Sequence, residues 1–198
     1  MKFFENLHMV LIVGLLLALA LLYGTGHAPQ PAELFRWMHV FFGITWIGLL
    51  YYFNFVQARK MPEIPAELKP AVSKYIAPEA LFWFRWAALF TVLAGICVAA
   101  LRGKDYAEGV FTFGLAGGLT PDKYGYTLMG LGIYLALIMF LNVWGVIWPN
   151  QKRALGIVDA DADTKAKSAR IAGMASRVNV LLSLPMLTSM AMYQTLFG

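Results

Sequence analysis

Long apolar runs separated by short polar stretches extend through the whole chain. Five of them, 7–23, 34–57, 80–101, 126–148 and 178–197, match the ~20 residues with which an α-helix crosses ~30 Å of hydrocarbon. They predict an all-α fold, a polytopic membrane bundle of five transmembrane helices in a single domain, 1–198. The second run is the most informative. At ~100° per residue, Arg36, His39, Gly43, Trp46, Leu50, Asn54 and Gln57 share one face, while Met38, Phe42, Thr45, Leu49, Tyr52 and Val56 lie opposite. A polar stripe in lipid must turn toward protein or a water-filled cavity, because an unpaired polar group costs several kcal/mol there. The remaining helices are therefore expected to close on this face.

The connections follow from glycine and proline. The stretch 24–32 reads as a short turn, so the second helix runs antiparallel to the first. Prolines at 62, 65 and 70 break the chain after the second helix, leaving 71–76 as a short surface helix. Pro78 suits the first turn of the third run. The glycine-rich stretch 102–125 holds Val110, Phe111, Phe113 and Leu115, and reads either as a cap on the bundle or as a plain loop. Pro149 should end the fourth run. Asp163 is the candidate N-cap of a basic surface helix reaching Arg177. Pro185 should kink the fifth run and free the Leu181 carbonyl. The Lys2 that precedes the first run also admits a signal peptide. The length of the run, and YGTGHAPQPA without a small-x-small cleavage site, favour a retained helix.

Composition fits a membrane protein: 60% hydrophobic residues against 14% charged, with a mean hydropathy of +0.63. Nucleic acid is not the reason for the net charge of +5. Eleven basic residues fall at the N-terminus and after the second and fourth runs, whereas only Arg102, Lys104 and Lys123 fall on the other side. The positive-inside rule then places the N-terminus in the cytoplasm and the C-terminus in the periplasm of a bacterial-type inner membrane. The single Cys97 excludes a disulfide within the chain, and three histidines exclude a His-rich metal cage.

Depth sorts the candidate chemistry. His39 lies inside the second helix on its polar face, and neutral imidazole is both a haem ligand and a proton relay. The alternative is a histidine hydrogen-bonded to a backbone carbonyl between packed helices. Gly43 removes bulk one turn on, and Trp46 follows on the same face. For a second axial ligand His27, Met190 and Met192 remain open. Asn54, Asn142 and Asn179 form an expected polar cluster with Arg85 toward the cytoplasmic side. Two readings are open there: amides joining helices while Arg85 snorkels, or Arg85 holding an acidic group such as a haem propionate.

Arg36-Trp37-x-His39-x-x-x-Gly43-Ile44-x-Trp46-Ile47-Gly48-x-x-Tyr51-x-Phe53 resembles the opening membrane helix of PuuD-type urate hydroxylases, the urate oxidase N-terminal domain family. The stretches from Tyr75 to Glu79 and from Trp83 to Trp86 are similar to the same family. So are those from Trp148 to Arg153 and from Leu182 to Leu187, the latter following Arg177-x-Asn179. The pattern of His39, Trp46 and Gly48 is also similar to small haem-binding membrane proteins of the HemJ type. The resemblance implies an oxidoreductase subunit, with haem b as cofactor and a separate cytochrome c or other membrane subunit as partner, since the sequence has no CxxCH. On that reading His39 is an axial ligand or proton relay, and Arg36 and Arg85 hold acidic groups at opposite faces. The rival expectation is a non-catalytic subunit packed against a larger membrane complex.

Overall fold

The computed structural model describes residues 2–24, 26, 30–115 and 123–197. Helix is the only regular structure among them. Five helices are long and apolar enough to cross a membrane: α1 (Leu7–Gly24), α2 (Pro31–Glu63), α3 (Lys69–Leu101), α5 (Lys123–Ala154) and α6 (Ala162–Leu196). A short helix, α4 (Lys104–Phe111), lies between α3 and α5. Helices α2 and α3 form one closely packed pair, and α5 and α6 the other. α1 buries none of its residues.

The helices are longer than their apolar runs, for local reasons. α2 begins at Pro31 because Gln30 and Glu33 close a capping box, with the Gln30 N–H donating to Glu33 Oε2 at 3.0 Å. The expected surface helix at 71–76 is instead the opening of α3, so Pro78 lies inside that helix rather than at its start. Likewise α5 continues through Pro149 to Ala154. In both places the turn before the proline is widened to a π turn. Ala77 N–H bonds the Val72 carbonyl, and Trp148 N–H bonds the Val143 carbonyl. A proline lacks the N–H and crowds the carbonyl four residues back, and a π turn relieves both demands without ending the helix. Helix α5 stops just before Gly156, φ +74°, in a Schellman motif: Gly156 N–H bonds Arg153 O at 3.0 Å and Ile157 N–H bonds Lys152 O at 2.9 Å.

The basic surface helix and the fifth spanning run are one continuous helix, α6, that passes through Pro185. Its N-cap is Asp161 rather than Asp163: Asp161 accepts from the Thr164 N–H at 2.7 Å and from the Thr164 hydroxyl at 2.9 Å.

The described part of the stretch after α3, residues 102–115, packs as a cap on α5. Val110 is fully buried, Tyr134 donates to the Phe111 carbonyl at 2.9 Å, and Thr127 donates to that of Phe113 at 2.7 Å. Gly130 permits the approach, since a Cβ there would stand 2.3 Å from the Val110 carbonyl oxygen.

The two halves of the bundle differ in filling. Toward the end where α2 meets the start of α3, a solid core forms from Leu50, Leu81, Phe84, Met139, Val143 and Ile147. The other half is hollow.

Candidate functional site

The hollow is a cavity of about 840 Å³ between the α2–α3 pair and the α5–α6 pair. Its volume lies in the range of small-molecule and cofactor sites. Arg36, His39 and Gly43 of α2 line it together with Met190 of α6, so four of the residues singled out in the sequence share one space. Trp46 forms part of its inner wall but belongs to the core, 1% exposed, with an indole N–H that meets no acceptor.

His39 is held by α3. Its Nδ1 lies 2.7 Å from the Thr91 carbonyl oxygen. A carbonyl only accepts, so Nδ1 carries a proton, and in the neutral imidazole Nε2 keeps its lone pair. Among the described residues nothing engages Nε2. Thr91 turns its own hydroxyl back to the Ala87 carbonyl at 2.7 Å.

The room for the ring comes from an unexpected glycine. A Cβ on Gly95 would stand 2.9 Å from His39 Cε1 and Nδ1, whereas one on Gly43 would meet only the Thr91 methyl at 3.7 Å. Gly43 therefore widens the cavity, and Gly95 seats the histidine. Ala88, Thr91, Gly95 and Ala99 recur every three or four residues of α3, a small-residue row visible in the sequence.

At the mouth Arg36 donates to the Gln194 side-chain oxygen, bridging α2 to α6. Arg102, at the end of α3, lies at the same mouth, its guanidinium 4.7 Å from the Tyr106 ring centre. Sequence reasoning passed over both Arg102 and Gln194, because the first reads as a loop charge and the second as a helix-end amide.

The candidates for a second ligand separate. Met190 faces the cavity while its γ-carbon packs where a Cβ on Gly132 would stand 3.0 Å away. Met192 is 41% exposed and is not among the cavity lining. His27 lies outside the described residues. Met129 and Met186 also line the space.

The expected polar cluster divides. Asn142 donates to Asn179 Oδ1 at 2.7 Å and to the Ala175 carbonyl at 2.8 Å. Asn179, fully buried, donates to the Met139 carbonyl at 3.0 Å. Asn54 stands apart and bonds Ser176 Oγ at 2.8 Å. Each amide fixes α6 to a neighbouring helix, the joining role. Arg85 is in neither group: its guanidinium stacks on Trp148, 3.9 Å from the ring centre, with Phe82 at 5.4 Å. Arg36 and Arg85 thus lie at opposite ends of the bundle, and only Arg36 reaches the cavity.

Among the described residues no group of three or more His, Cys, Asp and Glu is gathered tightly enough to hold a bare metal ion. The fit to a haem is different in kind. That group takes an axial ligand such as an imidazole nitrogen, an apolar wall and cationic groups for its acidic edge, and His39, the cavity lining, Arg36 and Arg102 offer these. Compared with protein-family models, curated proteins and solved structures, the chain matches none.

Proposed function

We propose that this chain is a small redox subunit of a bacterial-type inner membrane, oriented with its N-terminus in the cytoplasm and its C-terminus in the periplasm. It resembles the membrane domain of PuuD-type urate hydroxylase and works with a separate electron carrier of the cytochrome c class. The observation that carries the reading is that His39 lines the cavity with Nδ1 bonded to the Thr91 carbonyl and Nε2 unengaged among the described residues. A histidine that ligates iron almost always donates its other ring N–H to a carbonyl or carboxylate, which fixes the tautomer and raises the basicity of the free nitrogen. His39 meets that condition beside a cavity.

On this reading His39, through Nε2, would hold haem b, and Met190 of the cavity lining would be the candidate second ligand. Gly95 gives the imidazole its room, and Gly43 widens the cavity beside it. Haem, when bound, supplies one-electron transfer. The protein orients the imidazole and excludes water from the apolar body of the cavity.

Membranes bearing the protein, with and without added cytochrome c, test the reaction. Urate-dependent reduction of the cytochrome, absent in His39→Ala membranes that insert the same amount of protein, is the expected result. No rate above background from haem-supplied protein would remove urate as the substrate.

One feature favours a second reading, a non-catalytic subunit of a larger membrane complex: α1 buries nothing within the chain. Then His39→Ala leaves assembly intact. Changes to the exposed Phe41, which stacks on Trp37 at 5.5 Å, weaken co-purification of the complex.

A further inference from the structure

Two guanidinium groups line one end of an apolar cavity, and neither forms an ion pair with a carboxylate among the described residues. Arg36 is bonded to the neutral amide of Gln194. Arg102 stands over Tyr106, near the Tyr193 hydroxyl. The one ion pair among the described residues, Lys60 with Glu63, is at the far end of α2. Glu33 shares the mouth, but it accepts from its own helix's Gln30 N–H and forms no ion pair. Two arginines against one carboxylate beside one hollow leave a net positive end suited to anionic groups, because arginine's planar fork matches a carboxylate.

The body of the cavity is open sideways. Besides the Asn54–Ser176 bond in the filled half, α2 and α6 are tied by hydrogen bonds at two levels that bracket the cavity. One is Arg36 to Gln194; the other is Tyr51, whose hydroxyl lies 3.0 Å from Ser183 Oγ. Between these levels α2 rises by roughly 22 Å, at ~1.5 Å per residue. Within that interval the lining residues Ile44 and Leu187 are 70% and 40% exposed. In a bilayer this window faces hydrocarbon, so the cavity is accessible to molecules dissolved among the lipid tails.

We infer that the cavity binds an apolar molecule bearing carboxylate groups, its acidic end held by Arg36 and Arg102 and its body entering through the window between α2 and α6. This rests on reading the cavity as a binding site. The shared chemistry, acid on an apolar body, has two sources: a porphyrin with propionates, or a fatty acid from the bilayer. The two differ in their demand on His39.

The experiment uses the full chain in lipid nanodiscs. Hemin, hemin dimethyl ester, a fluorescent polyene fatty acid and its methyl ester are each titrated, followed by Soret absorbance or fluorescence. The free acids should bind more tightly than the esters. Arg36→Gln and Arg102→Gln should each weaken the acids by about tenfold, the scale of one charge-assisted hydrogen bond, and leave the esters unchanged. Gln194→Ala removes the bridge and keeps both charges, so it should retain acid binding. If Gln194→Ala matches Arg36→Gln, the arginine is a helix tie and the inference fails at that residue.

Acid and ester binding equally, with no effect of either arginine, overturns the inference outright. The haem reading fails separately. Arginine-dependent fatty acid binding without a Soret shift from hemin supports the carboxylate site and removes haem. A His39-dependent Soret shift indifferent to both arginines keeps haem and overturns the carboxylate site.

Discussion

The imidazole of His39 and the backbone carbonyl of Thr91, on facing helices 52 residues apart in the chain, meet at 2.7 Å. The contact makes one side chain a tie between α2 and α3 and at the same time presents its second nitrogen to a cavity. A packing histidine and a ligand histidine share this geometry. What differs is whether anything engages Nε2.

Gly95 controls that geometry. A Cβ there would press on the ring at 2.9 Å, so Gly95→Ala should push the imidazole off Thr91. A His39-dependent haem spectrum should be lost or shifted in Gly95→Ala and preserved in Gly43→Ala. An equal effect of both substitutions would show that cavity volume, not ring placement, is what the site needs.

The amide pair should act on stability alone. Asn179→Leu strips Asn142 of one acceptor in the filled half of the bundle, at a cost of about 1–2 kcal/mol. The Asn142→Leu, Asn179→Leu double variant should cost less than the sum of the two single changes. Thermal unfolding in detergent measures this, and ligand affinity at the cavity should not move.

Gly130 holds the cap. A methyl group at Gly130 collides with the Val110 carbonyl at 2.3 Å, so Gly130→Ala should cost about 1–3 kcal/mol by overpacking. It should also raise hydrogen exchange across α4. Unchanged protection of residues 104–111 would mean that the cap does not depend on this contact.

Asp161 gives α6 a pH-dependent start. Its carboxylate, hydrogen-bonded by the Thr164 backbone N–H and hydroxyl, is held below the ordinary aspartate value. The folded pKa is depressed, so the stabilisation is present above the unfolded value and lost as pH falls through the folded one. Exchange protection of the first turns of α6 should fall in that acid window. Asp161→Asn, which still accepts a hydrogen bond but does not titrate there, should flatten the profile.

The fold was legible because length and apolarity alone decide whether a helix can cross a bilayer, and the five runs carry both. The face of α2 was legible for a similar reason: Arg36, His39, Gly43, Trp46 and Asn54 could not all meet lipid. The helix ends near Pro78 and Pro149 were not, because a proline's effect depends on whether the preceding turn can widen. The site was half visible. His39 stood out by its chemistry, whereas the groups that position it are a backbone carbonyl and a glycine hydrogen, which no residue-type pattern marks. Arg85 misled because depth along a helix says nothing about azimuth, and its azimuth carries it to Trp148.

The most direct measurement is the reduced-minus-oxidised absorption spectrum of the purified, haem-supplied protein in mild detergent, recorded beside His39→Ala. The account predicts a Soret band and sharp reduced-state bands in the wild type, lost in a variant that still inserts and folds. A featureless wild-type spectrum, or one that His39→Ala leaves untouched, would contradict it.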